Sequence, residues 1–453
     1  MTGSNTTGRD TTGMTAGDLL TALGAGTVTA EQVVADLHER WDTDEAGPIP
    51  VHSVVRRDPT ASAQAREIDR RRRDGEPLPP LAGLPLTVKD CFDVAGLTTG
   101  DGVPDHEYVA GTDAPAVAAL RAAGVVVVGK TNVPPWLDDY QSGSAHLGIT
   151  RHPQDRTRTP GGSSGGAAAV AAGHSWLDLG SDMTGSVRLP AAWCGVTSWR
   201  PSHGLVSKRG HLPWPPSRRL EPPASTVGIT ARTVADLLLP AEALLTGAPG
   251  GAGAAAPLGS AAEEIRLGVW MPGDWPVTGT EVRDALSAWC VRARDAGIEL
   301  VVIRPPLAGP AEAAVYRRLM AAEIAHGAAV PDLAPPLLAD LERQAEVVDA
   351  WSTEVFATVA AVVCPITPVV APPLSAVPLD DRTVLVDGAE LPASVIFDWG
   401  VITSLARGPV VTVPIGTGTG GLPIGAQLIG EHGRDRDLLA LAVRLETSGL
   451  AAA

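Results

Sequence analysis

Three segments of this 453-residue chain carry side chains that could act on one another chemically. The first is Gly83-Leu-Pro-Leu-Thr-Val-Lys89-Asp90, which sets a lysine at the end of an apolar run. The second is Thr159-Pro-Gly-Gly-Ser163-Ser164-Gly-Gly166, and the third is Gly180-Ser-Asp182-Met-Thr-Gly185-Ser186-Val-Arg188-Leu-Pro190. Each of these places serines in a glycine-rich turn. A lysine buried at a strand end loses its proton readily, because burial disfavours the ammonium form. The neutral amine can then serve as a base toward a serine hydroxyl. The turn before Ser186 exposes successive backbone N–H groups that could hold a developing oxyanion. Taken singly, each segment has a plainer reading: a linker, a surface cation, a strand-to-loop turn. Lysine usage weighs against it. Lys89, Lys130 and Lys208 are the only lysines among 35 basic residues, and the other 32 are arginine. Arginine supplies charge but does not give up its proton, so a lysine here is a candidate for work that arginine cannot do.

Two other patterns are set aside. Gly124-Val-Val-Val-Val-Gly129-Lys130-Thr131 fits the phosphate-cradling loop formula, but its variable positions are all valine. They read as a strand, and no helix start follows to receive a phosphate. Gly162-Ser-Ser164-Gly-Gly166 fits the nucleophile elbow of hydrolases, but the polar stretch 151–160 before it is not the strand that an elbow needs. His203, His326 and His432 could be nominated for a Ser-His-Asp arrangement, yet none sits in a telling context. No helix carries two metal ligands in an H-E-x-x-H arrangement and no Gly-rich dinucleotide fingerprint follows a strand, so no metal or cofactor is expected.

The elements that must position these segments follow from hydrophobic spacing. Thr15 to Trp41 suggests two short helices around Gly24, Gly26 and a Thr29 cap. Residues 61–73 read as a charged, exposed helix, Leu84 to Val88 as a strand, Ala114 to Ala123 as a helix and Val125 to Val128 as a buried strand. The loop 161–166 leads into an Ala-rich helix at 167–173. Residues 247–260 form a Gly/Ala/Pro segment that reads as a mobile loop. A strand (Ile265 to Trp270), a helix (Glu281 to Ala296) and a strand (Ile298 to Ile303) come next. Interleaved helices and buried strands indicate an α/β fold. Residues 1–13 are Thr/Gly-rich and read as a disordered tail.

Composition bounds the function. Hydrophobic residues make up 44%, enough for a large core. The formal charge of −16 argues against nucleic-acid and anionic-membrane partners, which need a basic surface. Cys91, Cys194, Cys290 and Cys364 are widely spaced, which argues against a disulfide scaffold or a zinc site. The N-terminus lacks the apolar stretch of a secretory signal. The apolar stretch 357–377 contains Pro365, Pro368, Pro372 and Pro373, which argues against a membrane span. The expectation is a cytoplasmic protein.

On these residues the sequence resembles the amidase signature family. The resemblance runs through LAGLPLTVKDCFDVAGLTTG (81–100), GKTNVPPW (129–136), RTPGGSSGG (158–166), LGSDMTGSVRLPAAWCGV (179–196) and GLPIGAQLIG (421–430). It implies an α/β/α fold with a large central mixed sheet surrounded by helices, here as a single domain over 14–453. It also implies amide hydrolysis through a Ser–cis-Ser–Lys triad. Matched motif by motif, Lys89 corresponds to the base, Ser163 to the bridging serine with a cis peptide, and Ser186 to the nucleophile. The amides of Met183, Thr184, Gly185 and Ser186 fall where the oxyanion hole would be. Ser164 would support the bridge, and Asp182 and Arg188 would hold the loop. Three departures are visible. Thr184 stands where the family has glycine, the interval from Ser163 to Ser186 is one residue short, and Arg407 stands in a late loop, TSLARGPVV, where the family is Gly- and Leu-rich. A β-branched residue resists positive φ, so a loop needing glycine geometry at 184 would be distorted.

The expectation is an amidase acting on a small-molecule carboxamide through an acyl-enzyme on Ser186. An acyltransferase with the same acyl-enzyme and a non-catalytic binding protein are the alternatives. Asp138-Asp-Tyr-Gln-Ser142 is closer in pattern to broad-specificity bacterial amidases than to amidotransferase subunits. A homodimer is the default oligomer. Trp136 and Trp193 read equally as pocket lining or core.

Overall fold

The computed structural model describes residues 11–214, 221–246, 265–325 and 335–451. Its centre is an eleven-stranded mixed sheet. The strands in chain order are β1 (Val54–Arg57), β2 (Pro85–Lys89), β3 (Val126–Thr131), β4 (Leu177–Asp182), β5 (Thr197–Arg200) and β6 (Thr226–Ala231). They continue as β7 (Arg266–Val269), β8 (Glu299–Val302), β9 (Ala361–Pro365), β10 (Val410–Thr417) and β11 (Pro423–Ile429). Their order across the sheet is β1-β3-β2-β4-β6-β5-β10-β11-β9-β7-β8. The β3-β2-β4 and β9-β7-β8 runs are parallel, and the middle of the sheet is antiparallel. Every residue of β2, β3 and β4 is buried, as expected of strands covered on both faces. This is the mixed α/β architecture that the sequence implies.

Most expected elements appear within a residue or two. The first helix is Ala16–Gly24, capped by Thr15 and Asp18 in a reciprocal capping box. The second, Ala30–Glu45, is capped by Thr29 but runs 16 residues and so is not short. The expected helix at 61–73 is Ala61–Arg73, with Ala61 and Ala65 facing the core. The strand at 125–128 extends to Thr131 as β3. It takes in Gly129, Lys130 and Thr131, so the residues that fit the phosphate-loop formula lie in a strand from Val126 onward, with only Gly124 and Val125 before it. Thr11, within the segment expected to be a disordered tail, is buried, and its hydroxyl accepts a hydrogen bond from Arg40. Residues 1–10 and the expected mobile loop at 247–260 lie outside the described residues. No helix among the described residues is long and apolar enough to cross a membrane.

Topology decides what meets at the end of β2. β2 and β4 are parallel neighbours, with Thr87 opposite Asp178 and Val88 opposite Leu179. Lys89 and Asp182 therefore leave the sheet at the same edge. β6 begins at that edge, where Thr226 pairs with Asp182, and β5 ends toward it, where Arg200 pairs with Val410. The loops that begin there come from widely separated parts of the chain.

Candidate active site

All three lysines are buried, which removes the surface-cation reading of Lys89. Lys130 donates to the carbonyls of Asp90, Phe92 and Thr98, so its three N–H groups are occupied structurally. Lys208 hydrogen-bonds Ser225 and pairs with Glu323. Lys89 differs from both. It is 1% exposed, and its partners are two hydroxyls, Ser163 Oγ at 2.8 Å and Ser181 Oγ at 3.1 Å. Among the described residues no carboxylate pairs with it. Burial therefore pushes its pKa down from the ordinary lysine value.

From Lys89 the contacts run outward. Ser163 Oγ lies 3.2 Å from Ser186 Oγ. The Gly162–Ser163 peptide is cis. Ser163 is buried, whereas Ser186 is partly exposed, so the chain of three side chains leads from the interior to an accessible hydroxyl. Ser164 turns elsewhere. Its hydroxyl faces Asp178 Oδ2 at 3.4 Å and accepts from the Gly166 amide. Asp178 also accepts from Thr87 and Thr131, and burial raises its pKa to about 6. A β-carbon at Gly166 would lie 1.8 Å from this carboxylate. Ser164 thus braces the glycine turn beneath the relay.

The loop before Ser186 is shaped by Asp182. Its carboxylate accepts from the amides of Gly185, Val187 and Arg188 and from the Arg188 guanidinium. Burial alone would raise the Asp182 carboxyl, but Arg188 and Arg200 hold it well below the usual range. The Gly185 amide, one of those expected at the oxyanion hole, donates to Asp182 Oδ1 at 3.0 Å. The amides of Met183, Thr184 and Ser186 make no hydrogen bond among the described residues. Two of them are aimed by the carbonyl across the same peptide, since a trans peptide points its N–H opposite its C=O. The Met183 carbonyl is held by Tyr316 Oη at 2.6 Å and Ser404 Oγ at 3.2 Å, which fixes the Thr184 N–H. The Gly185 carbonyl accepts from the Leu189 amide at 2.7 Å, which fixes the Ser186 N–H.

Thr184 does not distort this loop. The positive φ falls on Gly185, at 122°, and Thr184 is not among the residues with positive φ. The close approach is on its other side, where a β-carbon at Gly400 would lie 1.8 Å from the Thr184 carbonyl oxygen. Gly400→Ala should therefore displace the loop and lower kcat about 100-fold, since sub-ångström to ångström shifts at a reacting centre cost that much. Thr184→Gly should change kcat less than about threefold, because no strain is relieved there. Steady-state kinetics on both variants check this, with circular dichroism to confirm folding. Arg407, the other departure, takes up the left-handed region at φ 58°, a conformation glycine adopts without cost, and donates to His203 Nδ1 at 2.7 Å.

The histidines considered from the sequence stand apart from Ser186. His203 bonds the Pro222 carbonyl and Arg407, and His432 bonds the His203 carbonyl. His326 lies outside the described residues. Trp193 is core, edge-on to Tyr140, while Trp136 is 64% exposed and edge-on to His106. Ser181, His211, Asp178, Tyr316, Ser404 and Gly400 are site neighbours that the sequence reading did not find.

The Amidase family matches over residues 50–332, and the chain belongs to the amidase signature family. A 1-carboxybiuret hydrolase subunit, AtzE, of Pseudomonas sp. (strain ADP) is 46% identical over 157 residues, covering 34% of each chain. A putative amidase, AmiB2, of Mycobacterium tuberculosis (strain ATCC 25618 / H37Rv) is 40% identical over 250 residues, covering 54% of this chain and 52% of that one. The chain thus spans between a third and about half of the length of these curated relatives. A solved, inhibitor-bound structure from work on a vestigial protein complex and the origins of an s-triazine catabolic enzyme superposes with a TM-score of 0.82. It is 27% identical and covers 97% of this chain and 99% of its own.

Proposed function

We propose that this chain is an amidase that cleaves the C–N bond of a small-molecule carboxamide through an acyl-enzyme on Ser186. The observation that carries the reading is the unbroken Lys89–Ser163–Ser186 contact chain, which starts at a buried amine that no carboxylate among the described residues pairs with. Such an amine is held toward its neutral form and can accept a proton.

The reaction runs in two halves. Ser186 Oγ attacks the amide carbon as its proton passes to Ser163 Oγ and the Ser163 proton passes to Lys89 Nζ. The tetrahedral oxyanion is met by the Thr184 and Ser186 N–H groups, whose directions are fixed before substrate arrives, so stabilising it requires no reorganisation. The proton returns through Ser163 to the departing nitrogen, the C–N bond breaks and the amine leaves. Water then attacks the Ser186 ester with the same relay as base, and the acid is released. The relatives' names agree with this reading: one is a hydrolase subunit for 1-carboxybiuret, a molecule built of carbonyl–nitrogen bonds, and the other a putative amidase. The central sheet draws strands from residues 54 to 429, which supports treating 14–453 as one amidase domain.

Ammonia release from a panel of primary carboxamides tests the proposal, with and without hydroxylamine. Hydrolysis in water and hydroxamate in hydroxylamine are expected, since both draw on one acyl-enzyme. Hydroxamate or amide exchange without hydrolysis would point to acyl transfer. A folded protein giving neither product would leave only a binding role.

A further inference from the structure

Lys89 has a second hydroxyl neighbour that the reaction above does not use. Ser181 Oγ lies 3.1 Å from Lys89 Nζ. It also lies 2.7 Å from Nε2 of His211, and Cys91 Sγ lies 3.0 Å from the same nitrogen. All four side chains are buried, and the His211 ring meets Phe92 edge-on. His211 sits at the centre of this cluster, yet it touches neither Ser163 nor Ser186 among the described residues.

Proton counting limits how the cluster can be wired. A neutral amine has two N–H groups and one lone pair. For Lys89 to take the Ser163 proton, the lone pair must face Ser163 Oγ. An N–H then goes to Ser181, and the Ser181 hydroxyl must donate its own proton elsewhere. Nε2 of His211 is within reach, and it accepts only when the ring proton sits on Nδ1, a buried atom with no hydrogen-bond partner among the described residues, so this wiring carries the cost of one unpaired N–H. The other tautomer reverses the chain. Nε2–H donates to Ser181, Ser181 donates into the Lys89 lone pair, and Lys89 is left only able to donate to Ser163. The two neutral forms of one imidazole thus correspond to a base aimed at Ser163 and a base turned away from it.

The surroundings favour a neutral ring. Burial, and after it the positive charge of Lys208, holds the His211 pKa well below its ordinary value. Burial raises the Cys91 thiol to about 11, so it remains an S–H that can also donate to a bare Nε2.

We propose that His211 is a positioning residue for Lys89: as the Nδ1–H tautomer it accepts the Ser181 proton at Nε2, and this turns the Lys89 lone pair toward Ser163. The proposal rests on Lys89 being the base of the reaction proposed above. It reaches beyond that reading, because it makes a residue outside the relay decide the direction of the relay.

A double-variant cycle tests it, with Lys89→Ala as reference. In His211→Phe the Ser181 hydroxyl is free to donate into Lys89, and kcat should fall about 100-fold with KM little changed. Ser181→Ala removes the competing donor along with one hydrogen bond, and should cost about tenfold. The double variant should be no slower than Ser181→Ala alone, so the second substitution rescues the first. His211→Gln, whose amide oxygen can accept the Ser181 proton, should recover most of the rate. Penalties that multiply in the double variant would overturn the proposal. The tautomer is read independently of turnover by ¹⁵N NMR of histidine-labelled protein, where His211 should show its unprotonated nitrogen at Nε2. A protonated Nε2 overturns the proposal even if His211→Phe fails to fold. Wild-type turnover in Lys89→Ala would instead remove the base reading itself, whereas an inactive Lys89→Ala with a multiplicative cycle would remove only the role of His211.

Discussion

Replacing Ser186 with alanine is expected to lower amide hydrolysis on the order of 10⁴-fold or more, with the fold intact. The size follows from what is lost. No other hydroxyl of the relay is both accessible and backed by a second proton acceptor, because Ser163 is buried between Lys89 and Ser186. The intact fold follows from what is kept. The loop is held by Asp182, Arg188, Tyr316, Ser404 and the Leu189 amide, none of which bonds the Ser186 hydroxyl. Thermal unfolding should therefore match the parent protein closely. A small fluorophosphonate gives a reading that needs no substrate. Intact-protein mass should show one adduct on the parent chain and none on Ser186→Ala. An adduct on the variant, or hydrolysis within about tenfold of the parent, would remove Ser186 as nucleophile.

The parts of the site legible in the sequence are those where chemistry and backbone demand fall in one short segment. Lys89, Ser163 and Ser186 announce themselves because lysine is rare in this chain and because glycine-rich turns surround both serines. Thr184 shows the limit of that reading. Whether position 184 needs glycine depends on φ, and φ in this loop is set by groups far away in sequence. Tyr316 and Ser404 clamp the Met183 carbonyl, and Gly400 makes room for the Thr184 carbonyl. The same clamps decide which amides are aimed, and they give Gly185 to Asp182. His211 was missed for a related reason. A lone histidine in a sequence carries no signal, and its neighbours Ser181 and Cys91 converge only when β2 and β4 lie side by side. In the fold, the apolar runs were legible as strands, but the edge at which β2, β4, β6 and β5 meet depends on long-range pairing that periodicity does not encode.

Lys89→Ala should lower kcat on the order of 10³-fold or more, and Lys89→Arg should do the same despite keeping the charge. The argument turns on the neutral amine. Burial lowers the Lys89 pKa, so kcat/KM should rise with pH along a limb whose midpoint lies below the ordinary lysine value of about 10.4. A profile flat from neutral to alkaline pH would sink the base assignment. Stability follows the same direction with pH. The unfolded chain binds a proton at this lysine more readily than the folded one, so the folded state bears a penalty that is complete below the folded-state pKa. That penalty fades as pH rises through the window between the folded-state value and about 10.4. Lys89→Met keeps the length of the side chain without its charge and should be as stable as the parent protein or more so at neutral pH, while being inactive. Its advantage should shrink as pH rises through the same window in which the parent enzyme gains activity. Thermal unfolding of both proteins across that range, set beside the pH–rate profile, measures one ionisation twice. A Lys89→Met protein that is less stable than the parent at neutral pH would mean that Lys89 is held as a stabilised ammonium, and the relay would then have no base.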